Sequence, residues 1–152
     1  MLHLTVAAIV HVEQKFLLVE ETDKITGQRV LNQPAGHVEQ DEDLIAAVQR
    51  ELYEETGLHL TPTAWLGISQ LQAVNNHRYV RVNFVFEPAS LPGHYQPQDN
   101  DILALHWLTA EQLQHSTLPL RSRLVSDAVT LYQQGVRLPL TLIQAVRDMR
   151  GK

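Results

Sequence analysis

Glu51, Glu54 and Glu55 stand at positions i, i+3 and i+4 of one short stretch, a spacing that gathers side chains onto neighbouring helix faces. Leu44, Ile45, Val48 and Leu52 recur around them at three- and four-residue steps, the helical period. At about 100° per residue, Glu55 falls inside the apolar arc and Glu51 at its edge, with Glu54 about 60° further round and Arg50 beyond it. The carboxylates therefore flank a buried stripe instead of facing water. Crowded there, they repel one another and approach the partly negative end of the helix.

A half-buried row of this kind must either hold protons or be neutralised by cations. Magnesium is the economical partner, because it takes oxygen ligands, keeps several waters and binds through a few carboxylates together with substrate phosphates. Manganese could substitute for it. Hydrolysis of a phosphoanhydride needs charge neutralised on phosphate oxygens and a water made nucleophilic, both of which bound magnesium can supply. The bland alternative is a solvated acidic helix that contacts other proteins, which implies no metal dependence.

The surrounding elements must position that row. Leu2–Val12 and residues 15–20 are rich in Val, Ile and Leu, with Glu13 and Gln14 between them, and predict a β-hairpin. After a polar loop at 21–29, "VLNQPAG" reads as a short strand ending in a turn at Pro34 and Gly36. A helix is expected over residues 41–56, capped by Asp41 and stopped by a left-handed Gly57. Strands are expected at 64–74, 78–87 and 102–108, and Thr109 with Gln112 signals a capped short helix. A helix over 120–134 stops at Gly135, and a last one is expected over 141–149. The order predicts an α/β (α+β) fold with one mixed sheet packed between helices.

The 152 residues fit a single domain, 1–152, with enough chain to bury a core. A net charge of −5 without a basic patch argues against binding a nucleic-acid polymer. The apolar N-terminal run is too short to span a bilayer and lacks a positive leader, so no membrane association is expected. The absence of cysteine excludes thiolate chemistry and fits a cytoplasmic location. Either a monomer or a homodimer suits this composition.

The segment Gly36 to Leu58, "GHVEQDEDLIAAVQRELYEETGL", resembles the signature of the Nudix hydrolases, G-x5-E-x7-R-E-U-x-E-E-x-G-U with U a bulky apolar residue. Gly36, Glu42, Arg50, Glu51, Leu52, Glu54, Glu55, Gly57 and Leu58 fill every fixed position. The resemblance implies an α/β/α sandwich in which a loop-helix-loop forms the catalytic platform, and metal-dependent hydrolysis of nucleoside diphosphates linked to another group. It makes Glu51, Glu54 and Glu55 the magnesium ligands, adds the Gly36 carbonyl, and offers Glu51 as a base. Arg50 would orient the neighbouring glutamates. Glu42 would be structural or an outer metal contact, although the helical wheel places it far from the three. "PAGH", "FLLVEET" and "SDAVTLYQQG" look like the NudJ-type phosphatases, a subgroup that hydrolyses nucleoside tri- and diphosphates and hydroxymethylpyrimidine pyrophosphate, a thiamine precursor, often with release of orthophosphate.

Substrate contacts are less sharply marked. Asp99 and Asp101 could hold metal or position water, or simply form a polar turn. Arg81 could present its guanidinium to phosphate, or face solvent. Gln70 and Asn83 are the amides chosen to meet a pyrimidine edge, with Gln33 and Gln72 as further candidates and Tyr79, Phe84 or Trp107 for ring stacking. His37 is singled out among the histidines for its place beside the motif. The expected function is hydrolysis of small diphosphate or nucleotide substrates. The alternative is a sensor of the same fold that binds a nucleotide or sugar-nucleotide without turnover.

Overall fold

The structure, a computed structural model, describes residues 1–150. Strands β1 (Leu2–Val12) and β2 (Lys15–Thr22) form the predicted hairpin. Its two turn residues, Glu13 and Gln14, have φ of 51° and 65°, the left-handed pair whose twist matches that of the flanking strands. The segment read as one strand is two, β3 (Arg29–Asn32) on β2 and β4 (Ala35–His37) on β1, broken at Pro34, which has no amide to give a ladder.

Strand β1 runs parallel to β6 (Arg78–Phe86), which is antiparallel to β5 (Ala64–Gln72), and β7 (Ile102–Leu108) pairs with β2. The resulting mixed sheet has the order β3-β2-β1-β6-β5, with β4 beside β1 and β7 beside β2. Alternation assigns each face. Val6, Ala8, Val10, Val82, Phe84 and Phe86 pack with Ala47, Val48 and Leu52 of α1 (Leu44–Thr56). Ile9, Phe16, Leu18 and Val85 pack with Val125, Ala128 and Val129 of α3 (Arg123–Gln133). Because both faces are covered, β1 reads as a continuous apolar run. The architecture is an α/β/α sandwich.

Three helical expectations need correction. The first helix starts at Leu44, because Asp43, not Asp41, accepts the Ala46 amide at 2.8 Å as its cap. Residues 119–121 do not open α3. They lie in parallel beside β3, with Arg121 N–H donating to the Leu31 carbonyl at 2.8 Å, and Ser122 caps the helix instead. The expected C-terminal helix is one 3-10 turn, Leu140–Leu142. Leu138 exchanges backbone hydrogen bonds with Trp65 and the Trp65 indole N–H donates to the Pro139 carbonyl, so this tail serves as an extended cover where a nine-residue helix would be marginal alone. The short helix α2 (Ala110–Gln114) carries the predicted Thr109/Gln112 capping box. Among the described residues no helix is long and apolar enough to cross a membrane.

Candidate active site

The carboxylate row sits on the last turns of α1, against strand β4. Exposure falls across it as the helical wheel requires: the Glu54 side chain is 44% exposed, Glu51 13%, and Glu55 is buried. Glu55 accepts a hydrogen bond from the Ala35 amide at 2.9 Å. Burial pushes its carboxyl well above the usual range; that amide opposes the shift, while the charges of Glu21, Glu51 and Asp99 add to it. Burial likewise raises Glu51, against the pull of Arg50. Gly36 faces this residue so closely that a β-carbon added there would lie 2.2 Å from the Glu51 carboxyl carbon. Gly57 ends the helix with φ of 81° while the backbone of Gln96 presses against it, and the amides of Gln98 and Asp99 donate to the Glu54 carbonyl at 2.9 Å.

Arg50 organises the outer half of the site. It donates to Glu42 at 2.6 and 2.9 Å, to Glu51 at 2.9 Å, to Glu54 at 3.2 Å and to the His37 carbonyl at 3.0 Å. These bonds, led by those to Glu42, raise the Arg50 pKa and hold Glu42 below its ordinary value. Glu42 therefore belongs with the row, against the helical-wheel expectation. It precedes the first helical residue, where the wheel does not apply. Part of the electrostatic cost of crowding three glutamates is thus offset by one guanidinium.

As arranged, no three His, Asp or Glu groups among the described residues form a ready cage for an ion. The donor set nevertheless suits a divalent cation. Glu55 is a buried carboxylate with one backbone N–H partner, and Gly36 leaves free the space beside Glu51 that any side chain would fill.

A cavity of about 470 Å³ opens on the α3 side of β4, lined by Thr5, Glu21, Gly36, Tyr79, Arg81 and Arg121 among others. Arg81 is not a solvent-facing strand residue. It is buried in the wall, donates to Gln33 at 3.2 Å, and has a buried Nε without a partner. Burial, reinforced by the charge of Arg121, brings its pKa down to about 10. Asn83 lies behind it on the same face, donating to Ser69 at 3.1 Å with Oδ1 unpartnered. Tyr79, Gln72 and His37 line the cavity.

Gln70 does not. A bulge between Trp65 and Gly67 reverses the alternation of β5, so Gln70 pairs with Val80 and shares the opposite face of the sheet with Val82 and Ile68. Asp101 is also displaced, exposed beside Lys24 at 3.7 Å, whereas Asp99 stays near Glu55. Phe84 is in the core, and Trp107, which donates to Tyr95 at 2.6 Å, does not line the cavity. Two cavity residues that the sequence reading missed are Glu21 and Arg121, which form an ion pair at 2.5 Å. Each reads as an ordinary loop or strand-end charge; their separation of 100 residues hides the pairing.

The model of the NUDIX domain matches residues 1–129. Phosphatase NudJ of Escherichia coli strain K12 is 43% identical over 141 residues, covering 93% of this chain and 90% of that protein. A solved structure of a NUDIX hydrolase from Nitrosomonas europaea superposes with a TM-score of 0.87 at 32% identity, covering 96% of this chain and 98% of that one. The NUDIX domain of Shewanella oneidensis NrtR, solved with ADP ribose, has a TM-score of 0.67 at 22% identity over 89% of this chain and 86% of that one, a likeness of fold. With its glutamates, Arg50 and Gly36 placed on the loop-helix-loop that the signature describes, the chain belongs to the Nudix hydrolases, enzymes acting on pyrophosphate linkages, and resembles the NudJ phosphatases.

Proposed function

We propose that the protein is a magnesium-dependent hydrolase of phosphoanhydride bonds in small substrates, nucleoside tri- and diphosphates and hydroxymethylpyrimidine pyrophosphate, and that it releases orthophosphate. The observation that carries this reading is the pairing of a buried Glu55, held by the Ala35 amide, with the cradle that Gly36 leaves beside Glu51. Glu51, Glu54 and Glu55, with the Gly36 carbonyl, would hold the cation, which when bound neutralises phosphate charge and activates water. Manganese would substitute. For the cation to be gripped, Glu51 and Glu54 must release part of their hold on Arg50.

The chain's own groups supply the rest. Glu51, whose proton affinity burial has raised, would accept the proton of the attacking water as an oxygen–phosphorus bond forms and the anhydride oxygen departs with its electron pair. Arg50 orients Glu51 and Glu54. Asp99, close enough to act on Glu55, would help place the water. Arg81 would meet phosphate oxygens from the cavity wall, and Asn83 and Tyr79 would contact the organic group, whereas Asp101 pairs with Lys24 and Gln70 faces the other side of the sheet. The similarity to phosphatase NudJ supports the choice of orthophosphate.

The deciding experiment is a panel of nucleoside di- and triphosphates and hydroxymethylpyrimidine pyrophosphate, incubated with magnesium, in which orthophosphate and pyrophosphate are assayed separately. Orthophosphate release supports the proposal, while pyrophosphate as the sole inorganic product moves the cut to the inner anhydride. Binding without product across the panel would instead establish the sensor reading.

A further inference from the structure

Positive charge converges on the α3 side of the cavity from three sources. Arg81 is buried in the wall with its Nε unpartnered and one bond to Gln33. Arg121 comes from the segment that the Leu31 carbonyl anchors, and its one side-chain hydrogen bond among the described residues goes to Glu21. Ser122, the cap of α3, and Leu124 in its first turn line the same space, so the helix presents its positive end there. The Leu124 amide is taken by Ser122 Oγ and that of Val125 by the Ser122 carbonyl, so the helix contributes field more than hydrogen bonds.

Two like-charged guanidinium groups beside one cavity are mutually unfavourable, and the charge of Arg121 adds to the burial that lowers the Arg81 pKa. Glu21 relieves part of this by pairing with Arg121, and it is itself held by the Asn32 amide at 3.3 Å. One carboxylate cannot satisfy two guanidinium forks, each with five donors. Asp23, the other acidic residue lining the cavity, accepts the Ile25 amide instead. The unspent donors suit an oxygen-rich anion.

We propose that Arg121 and Arg81 form a two-guanidinium clamp that takes phosphate oxygens of the substrate from the α3 side, with Glu21 holding Arg121 in position. The clamp rests on the phosphoanhydride reading above for the identity of its ligand. It makes Arg121, which precedes the capping serine of α3, a determinant of phosphate affinity on an element remote in sequence from the carboxylate row.

The test is calorimetric titration of inorganic pyrophosphate into the full chain in EDTA, at low and moderate salt. Arg121→Ala should weaken binding about tenfold to a hundredfold, the usual scale for a lost charge-assisted hydrogen bond, and Arg121→Lys should restore it only in part. Glu21→Gln removes the competing negative charge but keeps an oxygen that accepts from Arg121, and should bind at least as tightly as wild type. In turnover, Arg121→Ala should raise KM about tenfold with kcat within about twofold. Wild type that fails to bind pyrophosphate, Arg121→Ala that binds within twofold of wild type, or Glu21→Gln as damaged as Arg121→Ala would each overturn the clamp. Arginine-dependent binding supports it even where no substrate is hydrolysed, an outcome that would defeat only the catalytic reading.

Discussion

Gly36 and Glu51 approach so closely that a β-carbon on the glycine would stand 2.2 Å from the glutamate carboxyl carbon. Gly36 is not in the left-handed region, so its backbone does not itself demand glycine. What it protects is the room for a carboxylate. Since the obstructing atoms are the far end of a flexible side chain, Gly36→Ala should cost little stability and displace Glu51. The expected result is a melting temperature within a few degrees of wild type and turnover reduced about tenfold to a hundredfold, measured side by side.

Gly57 should behave in the opposite way. Its φ of 81° and the Gln96 carbonyl oxygen 2.1 Å from an added β-carbon leave only backbone to give way. Gly57→Ala should destabilise the fold by about 1–3 kcal/mol in denaturant unfolding, since an alanine there suffers both left-handed strain and steric overlap.

Glu55 offers a test by pH. Its folded-state pKa lies above its unfolded value, so the folded form holds its proton more tightly. The contribution of this group to stability is therefore fully present below the unfolded pKa, near the ordinary glutamate range, and is lost as pH rises through the raised folded pKa. Glu55→Gln, which keeps an acceptor for the Ala35 amide, should unfold at higher denaturant than wild type at pH 8 in EDTA. At pH 4 the difference should shrink. A variant less stable than wild type at pH 8 would contradict the assignment of Glu55 as an acid whose ionisation burial disfavours.

The carboxylate row was legible because a thirteen-residue helix with strong apolar periodicity fixes the angular position of each glutamate. Both sheet faces could be read from alternation in β1 and β6. Failures came where a local rule met something non-local. One extra residue near Gly67 turned Gln70 to the wrong face, and helical geometry was applied to Glu42 outside the helix, where Arg50 reaches back to it across eight residues. Glu21 and Arg121 carry no sequence signature, since their meeting depends on residues 119–121 lying beside β3. The expected final helix gives way to a 3-10 turn and an extended tail, which Leu138 and Pro139 tie to Trp65 just ahead of it.

Glu42 gives a graded prediction. Its two bonds to Arg50 are the shortest that the guanidinium makes or equal to them, so Glu42→Gln should loosen Arg50 and, through it, Glu51 and Glu54. Turnover should fall about tenfold, less than the hundredfold or more expected for Glu54→Gln or Glu55→Gln, where charge stabilisation itself is lost. A kinetic comparison of the three variants at saturating magnesium decides the order.

A divalent ion held between Glu51, Glu54 and Glu55 and the phosphate oxygens of the ligand should be visible as manganese binding. The measurement follows the electron paramagnetic resonance signal of free manganese with methylene diphosphate present. Wild type should deplete that signal beyond a protein-free sample of the same manganese and diphosphate analogue, and a variant with all three glutamates changed to glutamine should match that sample. Equal depletion by both proteins, or none by either beyond the protein-free sample, would mean that the three glutamates hold no such ion.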